Sequence, residues 1–211
     1  VMSRAIEIAV FARAPIPGAC KTRLIPALGP VRATEVYRQL VLRTLATVRN
    51  TCRDCAATAS LWIADDAGHP DVRRWAAEFG LPVFPQQGDD LGERMLHCLQ
   101  SLCPAGQKVL LIGTDCPALQ ASDLEAAAQA LNAGQHWVFT PAEDGGYVLV
   151  GSNAPSAAPF AGIAWSTGRV MAQTRAGLVA ISERWAEMST HWDVDKPSDV
   201  ARAEALGLLG R

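Results

Sequence analysis

Two near-continuous apolar runs, Ala5–Ala12 (AIEIAVFA) and Val109–Gly113 (VLLIG), restrict this chain more than any other feature. A strand half-exposed to water alternates apolar and polar residues; one without that alternation must be covered on both faces. Helices on both sides of a parallel sheet supply that cover. The remaining pattern agrees. Ala56–Ala64 and the shorter Leu81–Phe84 read as further strands. Between them run helical patterns. Gly29-Pro30 opens one in which Ala33, Val36, Tyr37, Leu40, Val41, Leu45 and Val48 recur at spacings of three and four. Others cover Asp71–Phe79, closed by Gly80, and a stretch capped by Asp90 that runs to about Leu102.

The second half reads as a helix Ser122–Leu131, a strand Trp137–Thr140, a turn at Asp144-Gly145-Gly146 and a strand Tyr147–Val150. A loop over Ser152–Ile163, a helix near Thr167–Leu178 and a last helix Pro197–Leu206 complete it. Strands alternating with helices predict a mostly parallel central sheet with right-handed crossovers, plus antiparallel additions in the second half. At 211 residues, one α/β domain spanning residues 1–211 is the expectation.

Composition removes several function classes. Nineteen basic residues against 21 acidic ones leave no global field for gripping a nucleic-acid backbone, and the six tryptophans form no ladder interleaved with basic residues. Nucleic-acid partners are therefore not expected. No stretch reaches the length of an apolar membrane span, and no signal core precedes Arg13, so a cytoplasmic chain with no membrane partner is expected. Of the six cysteines, Cys52/Cys55 and Cys98/Cys103 have the spacing of a four-thiolate zinc site but lack Gly-rich knuckle turns; ordinary thiols are expected.

Ligands of open α/β sheets bind beyond the carboxyl ends of the strands. The loop after the first strand carries Gly18, Lys21 and Arg23. The glycine admits close backbone approach, and two cations two residues apart suit a di- or triphosphate. Gly18-x-x-Lys21-Thr22 is not a phosphate-binding Walker loop, which needs adjacent Gly-Lys and a further Gly where Arg13 stands. After the Val109–Gly113 strand comes Gly113-Thr114-Asp115-Cys116-Pro117, a carboxylate placed for Mg²⁺, although Asp also commonly caps such a turn. Asp144-Gly145-Gly146-Tyr147 suits approach to a sugar or phosphate and equally suits a plain hairpin. Asp193 and Asp195, two residues apart before the Pro197 helix start, could add a second metal ligand or be solvated turn acids.

Five motifs in this order carry a resemblance: Phe11-Ala-Arg-Ala-Pro-Ile-Pro-Gly18-Ala-Cys-Lys21-Thr22-Arg23-Leu24, Gly88-Asp-Asp-Leu91-Gly92-Glu93-Arg94-Met95, Gly113-Thr114-Asp115-Cys116-Pro117, Glu143-Asp144-Gly145-Gly146-Tyr147 and Asp193-Val-Asp195-Lys-Pro197. Over essentially the whole chain this resembles the bacterial glycosyltransferase-like family labelled radical-SAM/selenodomain-associated transferase 1, in the nucleotide-diphospho-sugar transferase superfamily. Phospholactate guanylyltransferase and the molybdenum-cofactor nucleotidyltransferases look similar. The resemblance implies the Rossmann-like GT-A fold, Mg²⁺ or Mn²⁺, and a nucleoside triphosphate or nucleotide-sugar with a small-molecule acceptor. It implies that Arg13, Gly18, Lys21, Arg23 and Arg94 meet the nucleotide, and that Asp115 and Asp195, the latter favoured over Asp193, hold the metal. Gly145, Gly146 and Tyr147 would receive the acceptor, and Asp144 would be the base for an acceptor hydroxyl. Asp115-Cys116-Pro117 lacks the second acid of the Asp-x-Asp found in many metal-dependent glycosyltransferases, which leans the reading toward nucleotidyl transfer. Glycosyl transfer and a non-catalytic nucleotide-binding protein are the alternatives, and a homodimer is left open.

Overall fold

The first apolar run becomes β1 (Ile6–Ala12), the strand around which the sheet is built. The structure, a computed structural model, describes residues 6–55, 57–103 and 107–210; Ala5 and Ala56, both expected at the heads of strands, lie outside the described residues. On one side β1 pairs in parallel with β2 (Ala57–Ile63), and on the other with β4 (Lys108–Ile112). The remaining strands are β3 (Val83–Pro85), β5 (Trp137–Pro141), β6 (Tyr147–Ser152) and β7 (Trp185–Glu187). The sheet order is β3-β2-β1-β4-β6-β5-β7. Among the described residues only β6 runs against its neighbours, β4 and β5, so the expected parallel sheet with antiparallel additions in the second half is what forms.

Side chains alternate across the sheet, which explains why both faces of β1 had to be apolar. Ile8 and Val10 point into one core, beneath α1 (Ile25–Asp54), α2 (Pro70–Phe79) and α4 (Ala121–Asn132). Ala9 and Phe11 point into the other, beneath α3 (Leu91–Leu102) and α5 (Val170–Ala180). The helix stripe read from the sequence is buried from Ala33 to Val48. The helix starts earlier than Gly29, however: one turn, Ile25–Leu28, precedes it, and the chain breaks at Gly29 (φ 74°) before Pro30 restarts the helix. The short β7, which the sequence did not announce, pairs with β5. Finally α6 (Pro197–Ala205) packs on the start of α1 in a third cluster around Leu24, Leu40 and Trp192.

Cys52 packs against the α1 core while Cys98 and Cys103 belong to the α3 core, so the two pairs lie in different layers; all six cysteines are free thiols. Among the described residues no helix is long and apolar enough to cross a membrane.

The start of α3 shows how local sequence sets local structure. Asp90 Oδ1 accepts from Glu93 N at 2.8 Å, and Glu93 Oε2 accepts in return from Asp89 N at 2.8 Å. Asp90→Ala is expected to remove about 1 kcal/mol of stability, read as a lower urea midpoint at unchanged m value.

With β2 and β4 on opposite sides of β1, the connection changes direction between β1 and β4. The loops leaving their carboxyl ends therefore flank a crevice, the usual ligand position in such sheets.

Candidate active site

A cavity of about 530 Å³ occupies that crevice, within the range of small-molecule sites. Its polar lining brings together Arg13, Lys21 and Arg23 after β1, Asp115 after β4, Asp144 in the β5–β6 turn, and Asp193 and Asp195 before α6. On the α3 side of the sheet the lining is apolar, with Phe11, Met95, Leu111, Tyr147 and Trp165.

The loop after β1 is braced before it reaches its cations. Tyr37 of α1 accepts from Arg13 N at 2.9 Å, and its hydroxyl reaches Arg13 O at 3.3 Å. Burial, and after it the charge of Asp115, pushes the Tyr37 phenol up, so it remains a neutral strut. Asp65, at the end of β2, accepts from Ala14 N at 2.7 Å and pairs with Arg13 Nε at 3.4 Å. Neither Tyr37 nor Asp65 stood out as a site residue in the sequence. Tyr37 fell on the buried stripe of a helix, whereas Asp65 could have been found by the strand-end rule that located Asp115.

Lys21 then sits in the left-handed region at φ 48° and ψ 44°, unusual for a residue with a side chain. Its ammonium donates to Val194 O at 2.6 Å and lies 2.8 Å from Asp115 Oδ1 and 3.4 Å from Asp195 Oδ1. The side chain is 5% exposed. Burial alone would lower its pKa, but Asp115, then Asp195 and Asp193, outweigh burial and the net direction is up. Arg23, mostly exposed, pairs with Asp195 Oδ2 at 2.6 Å. Asp195 is held from below as well: Asp199, in the first turn of α6, accepts from the N–H groups of Asp195 and Lys196 at 3.0 and 2.7 Å.

Among the described residues Asp193 has no ion pair with a cation. Burial first, then Asp144, Asp195 and Asp115, push its carboxyl up to about 6. In the β5–β6 turn, Asp144 Oδ1 accepts from Gly146 N at 2.8 Å, the local bond that makes Asp a turn former. Its neighbour Glu143 faces the other way, bound to Arg202 at 2.8 and 3.1 Å, with Arg202 stacked 4.2 Å over Trp192.

Three sequence-predicted residues lie outside the cavity wall. Arg94 Nε donates to Gly88 O at 2.9 Å, which ties down the turn before α3. Gly18 (φ 88°) shapes the loop bend with open space around it. Gly145 (φ 91°) meets the backbone of Gly168 so closely that a Cβ there would lie 2.2 Å from Gly168 O. Tyr147 is in the wall, but its hydroxyl lies 4.0 Å from Met95 Sδ and burial pushes its pKa up. Two contributors carried no sequence signal. Gln86, after the three-residue β3, donates from Nε2 to Ala12 O and Trp62 O at 3.2 and 3.0 Å. Trp165 lies against Gly92, where a Cβ would come within 2.5 Å of the indole.

Cys116, beside Asp115, lines the cavity with its thiol pushed up to about 11 by burial. Because the thiolate is the nucleophile, alkylation by iodoacetamide at pH 8 is expected to run roughly two orders of magnitude slower than for a free cysteine, and to accelerate as pH rises toward 11. A site-resolved mass-spectrometric time course checks this.

Among the described residues no three His, Cys, Asp or Glu side chains are gathered as a ready metal site. The Lys21 ammonium, held between Asp115 and Asp195, stands where a cation would. The donor set nevertheless fits Mg²⁺ or Mn²⁺: the candidate ligands are carboxylate oxygens, and a positive charge already occupies their midst.

The chain is similar to several known proteins. A phosphoenolpyruvate guanylyltransferase of Geodermatophilus obscurus is 30% identical over 191 residues, covering 89% of this chain and 84% of the relative. A crystal structure of a candidate nucleotide-diphospho-sugar transferase from Desulfovibrio desulfuricans G20 matches with TM-score 0.80 and 28% identity, over 90% of this chain and 82% of that one. The fold alone is shared with 4-diphosphocytidyl-2C-methyl-D-erythritol synthase from Anaerococcus prevotii DSM 20548, at TM-score 0.63 and 12% identity over 98% and 97% of the two chains. The profile of the family "Uncharacterized protein conserved in bacteria (DUF2064)" matches residues 47–167, more than half of the sequence. The chain belongs to the DUF2064 family.

Proposed function

We propose that this protein is a metal-dependent nucleotidyltransferase that joins a nucleoside monophosphate from a nucleoside triphosphate to a small phosphorylated acceptor. The observation that carries the reading is the convergence of Lys21 and Arg23 with Asp115 and Asp195 in one cavity at the carboxyl ends of β1 and β4. The guanylyltransferase relative supports GTP as the donor and a phosphorylated carboxylic acid such as phosphoenolpyruvate as the acceptor.

An acceptor phosphate oxygen attacks the α-phosphorus, the bond from that phosphorus to the α–β bridging oxygen breaks, and pyrophosphate leaves. The acceptor is already ionised and needs no base; for an acceptor hydroxyl, Asp144 is the group that takes the proton. Asp115 and Asp195 would hold Mg²⁺ or Mn²⁺, which supplies charge neutralisation at the phosphate oxygens. Lys21 and Arg23 bind the outer phosphates as negative charge grows on the leaving pyrophosphate. Arg13, paired with Asp65 in the cavity wall, would meet the nucleotide. Gly146 and Tyr147 border the acceptor side, while Gly18, Gly145 and Arg94 act at one remove by shaping the loops. Catalysis of this kind rests on positioning and electrostatics, which matches a cavity of charged side chains without an activated nucleophile.

Glycosyl transfer from a nucleotide-sugar is the second reading, favoured by the 28% identical Desulfovibrio protein. The products separate the two. GTP, Mg²⁺ and phosphoenolpyruvate are expected to release pyrophosphate, whereas nucleoside diphosphate released from a nucleotide-sugar points to glycosyl transfer. If neither nucleotides nor nucleotide-sugars are turned over, and none raises the Tm, the reading fails and a non-catalytic protein remains.

A further inference from the structure

The acidic cluster of the cavity already contains a cation, and that cation belongs to the chain. Lys21 Nζ has three acceptors within reach: Val194 O at 2.6 Å, Asp115 Oδ1 at 2.8 Å and Asp195 Oδ1 at 3.4 Å. Val194 O and Asp195 Oδ1 accept hydrogen bonds from it, and Asp115 Oδ1 is an ion-pair contact. Its side chain is nearly buried, and its left-handed backbone at φ 48° aims it at the cluster. Asp195 is engaged on both oxygens, by Lys21 on Oδ1 and by Arg23 on Oδ2. A divalent cation bound by Asp115 and Asp195 would share those oxygens with the ammonium at close range, and like charges at such distances in a part-buried site repel strongly. The two occupancies exclude one another.

We propose that Lys21 is a resident counter-ion that blocks divalent-cation binding until a polyphosphate draws it away. This inference rests on the reading of Asp115 and Asp195 as metal ligands. Both basic partners of the acids, Lys21 and Arg23, are also the side chains assigned to the phosphates. An incoming triphosphate therefore offers them better-matched anions and frees Asp115 and Asp195 in the same movement. Nucleotide and metal enter as coupled ligands, and the protein alone binds metal weakly. In the ligand-free state the lysine pairs with Asp115 and shares Asp195 with Arg23.

The test is a titration with Mn²⁺ alone, free metal being read by electron paramagnetic resonance. Lys21→Asn removes the ammonium and places a residue that tolerates the left-handed backbone; Lys21→Met is the second variant. Both are expected to bind Mn²⁺ at least about tenfold more tightly than the wild type. Lys21→Arg, which keeps the charge, should stay near wild type, and Asp115→Asn added to Lys21→Asn should abolish the gain. Equal Mn²⁺ affinity in the wild type and both neutral variants overturns the proposal. Should both variants lose their fold, the wild type carries the test through the ¹⁵Nζ resonance of Lys21. That resonance is expected to persist in Mg²⁺ at the concentration used for turnover and to move only when GTP is added as well; movement at that Mg²⁺ concentration without GTP overturns the proposal. A parallel thermal-shift series with GTP, in Mg²⁺ or in EDTA, examines the underlying reading. If GTP never stabilises the protein, the metal–nucleotide reading itself falls. If Mg²⁺-dependent stabilisation is present while Mn²⁺ affinities are equal, only the counter-ion role falls.

Discussion

Asp115→Asn is expected to reduce nucleotidyl transfer by about 10²–10³-fold, the range seen when one preorganised electrostatic contact to the reacting charge is removed. The substitution keeps the shape and one acceptor oxygen but deletes the charge. Asp115 is half-exposed into the cavity, and its backbone carbonyl remains bonded to Val194 N at 2.9 Å. Lys21 would keep Val194 O at 2.6 Å and Asp195 at 3.4 Å, so it is not stranded without a partner. Stability should therefore change by only about 1 kcal/mol, as for substitutions outside a core. The measurement pairs kcat/KM for pyrophosphate release with an equilibrium urea unfolding curve. Full activity in a folded Asp115→Asn protein would remove this residue from the chemistry.

Gly145→Ala carries the largest expected stability effect. Two costs add there. The backbone sits at φ 91°, where a side chain is strained, and the new Cβ would stand 2.2 Å from Gly168 O and 2.7 Å from Gly168 C. Neither contact is with the flexible end of a side chain, so one of the two loops has to move. Met171 N, bonded to Gly145 O at 2.9 Å, ties that movement to the start of α5. A loss of about 3 kcal/mol is expected. Gly18→Ala is the matched control: it also has positive φ, 88°, but open space around the missing Cβ, so it should cost only about 1 kcal/mol. The two denaturation midpoints check the difference, and equal losses would show that backbone strain alone governs both sites. Because Trp165–Thr167 line the cavity just before Gly168, turnover of Gly145→Ala should fall with its stability.

The sheet was legible because its strands obey a rule that acts residue by residue: an unbroken apolar run must be covered twice. That rule located β1 and β4, and the strand-end principle then led to Lys21, Arg23 and Asp115. It worked because loops at that end inherit their position from the strands. Asp65 follows the same rule after β2 and was open to the same reading. Tyr37 and Gln86 belong to another kind. Tyr37 has the periodicity of a core residue and is one; that its hydroxyl also meets Arg13 depends on the distance between α1 and β1, which no local pattern encodes. Gln86 bonds two strand-end carbonyls whose neighbourhood exists only after pairing. The β7 strand is three residues long, too short for any period, and forms because β5 offers it an edge. Arg94 shows the reverse case, a cation in a recognisable motif whose partner proves to be the backbone of Gly88.

The balance of charge around Lys21 also bears on which form of a nucleotide arrives. The cavity wall holds three cations, Arg13, Lys21 and Arg23, against four carboxylates, Asp115, Asp144, Asp193 and Asp195. A bare triphosphate drifting toward it meets no net attraction beyond the Debye length, about 8 Å at physiological ionic strength. A metal chelate carries half the negative charge and feels correspondingly less opposition. Within that length the wall would oppose a chelate less than a bare triphosphate, before any hydrogen bond has formed.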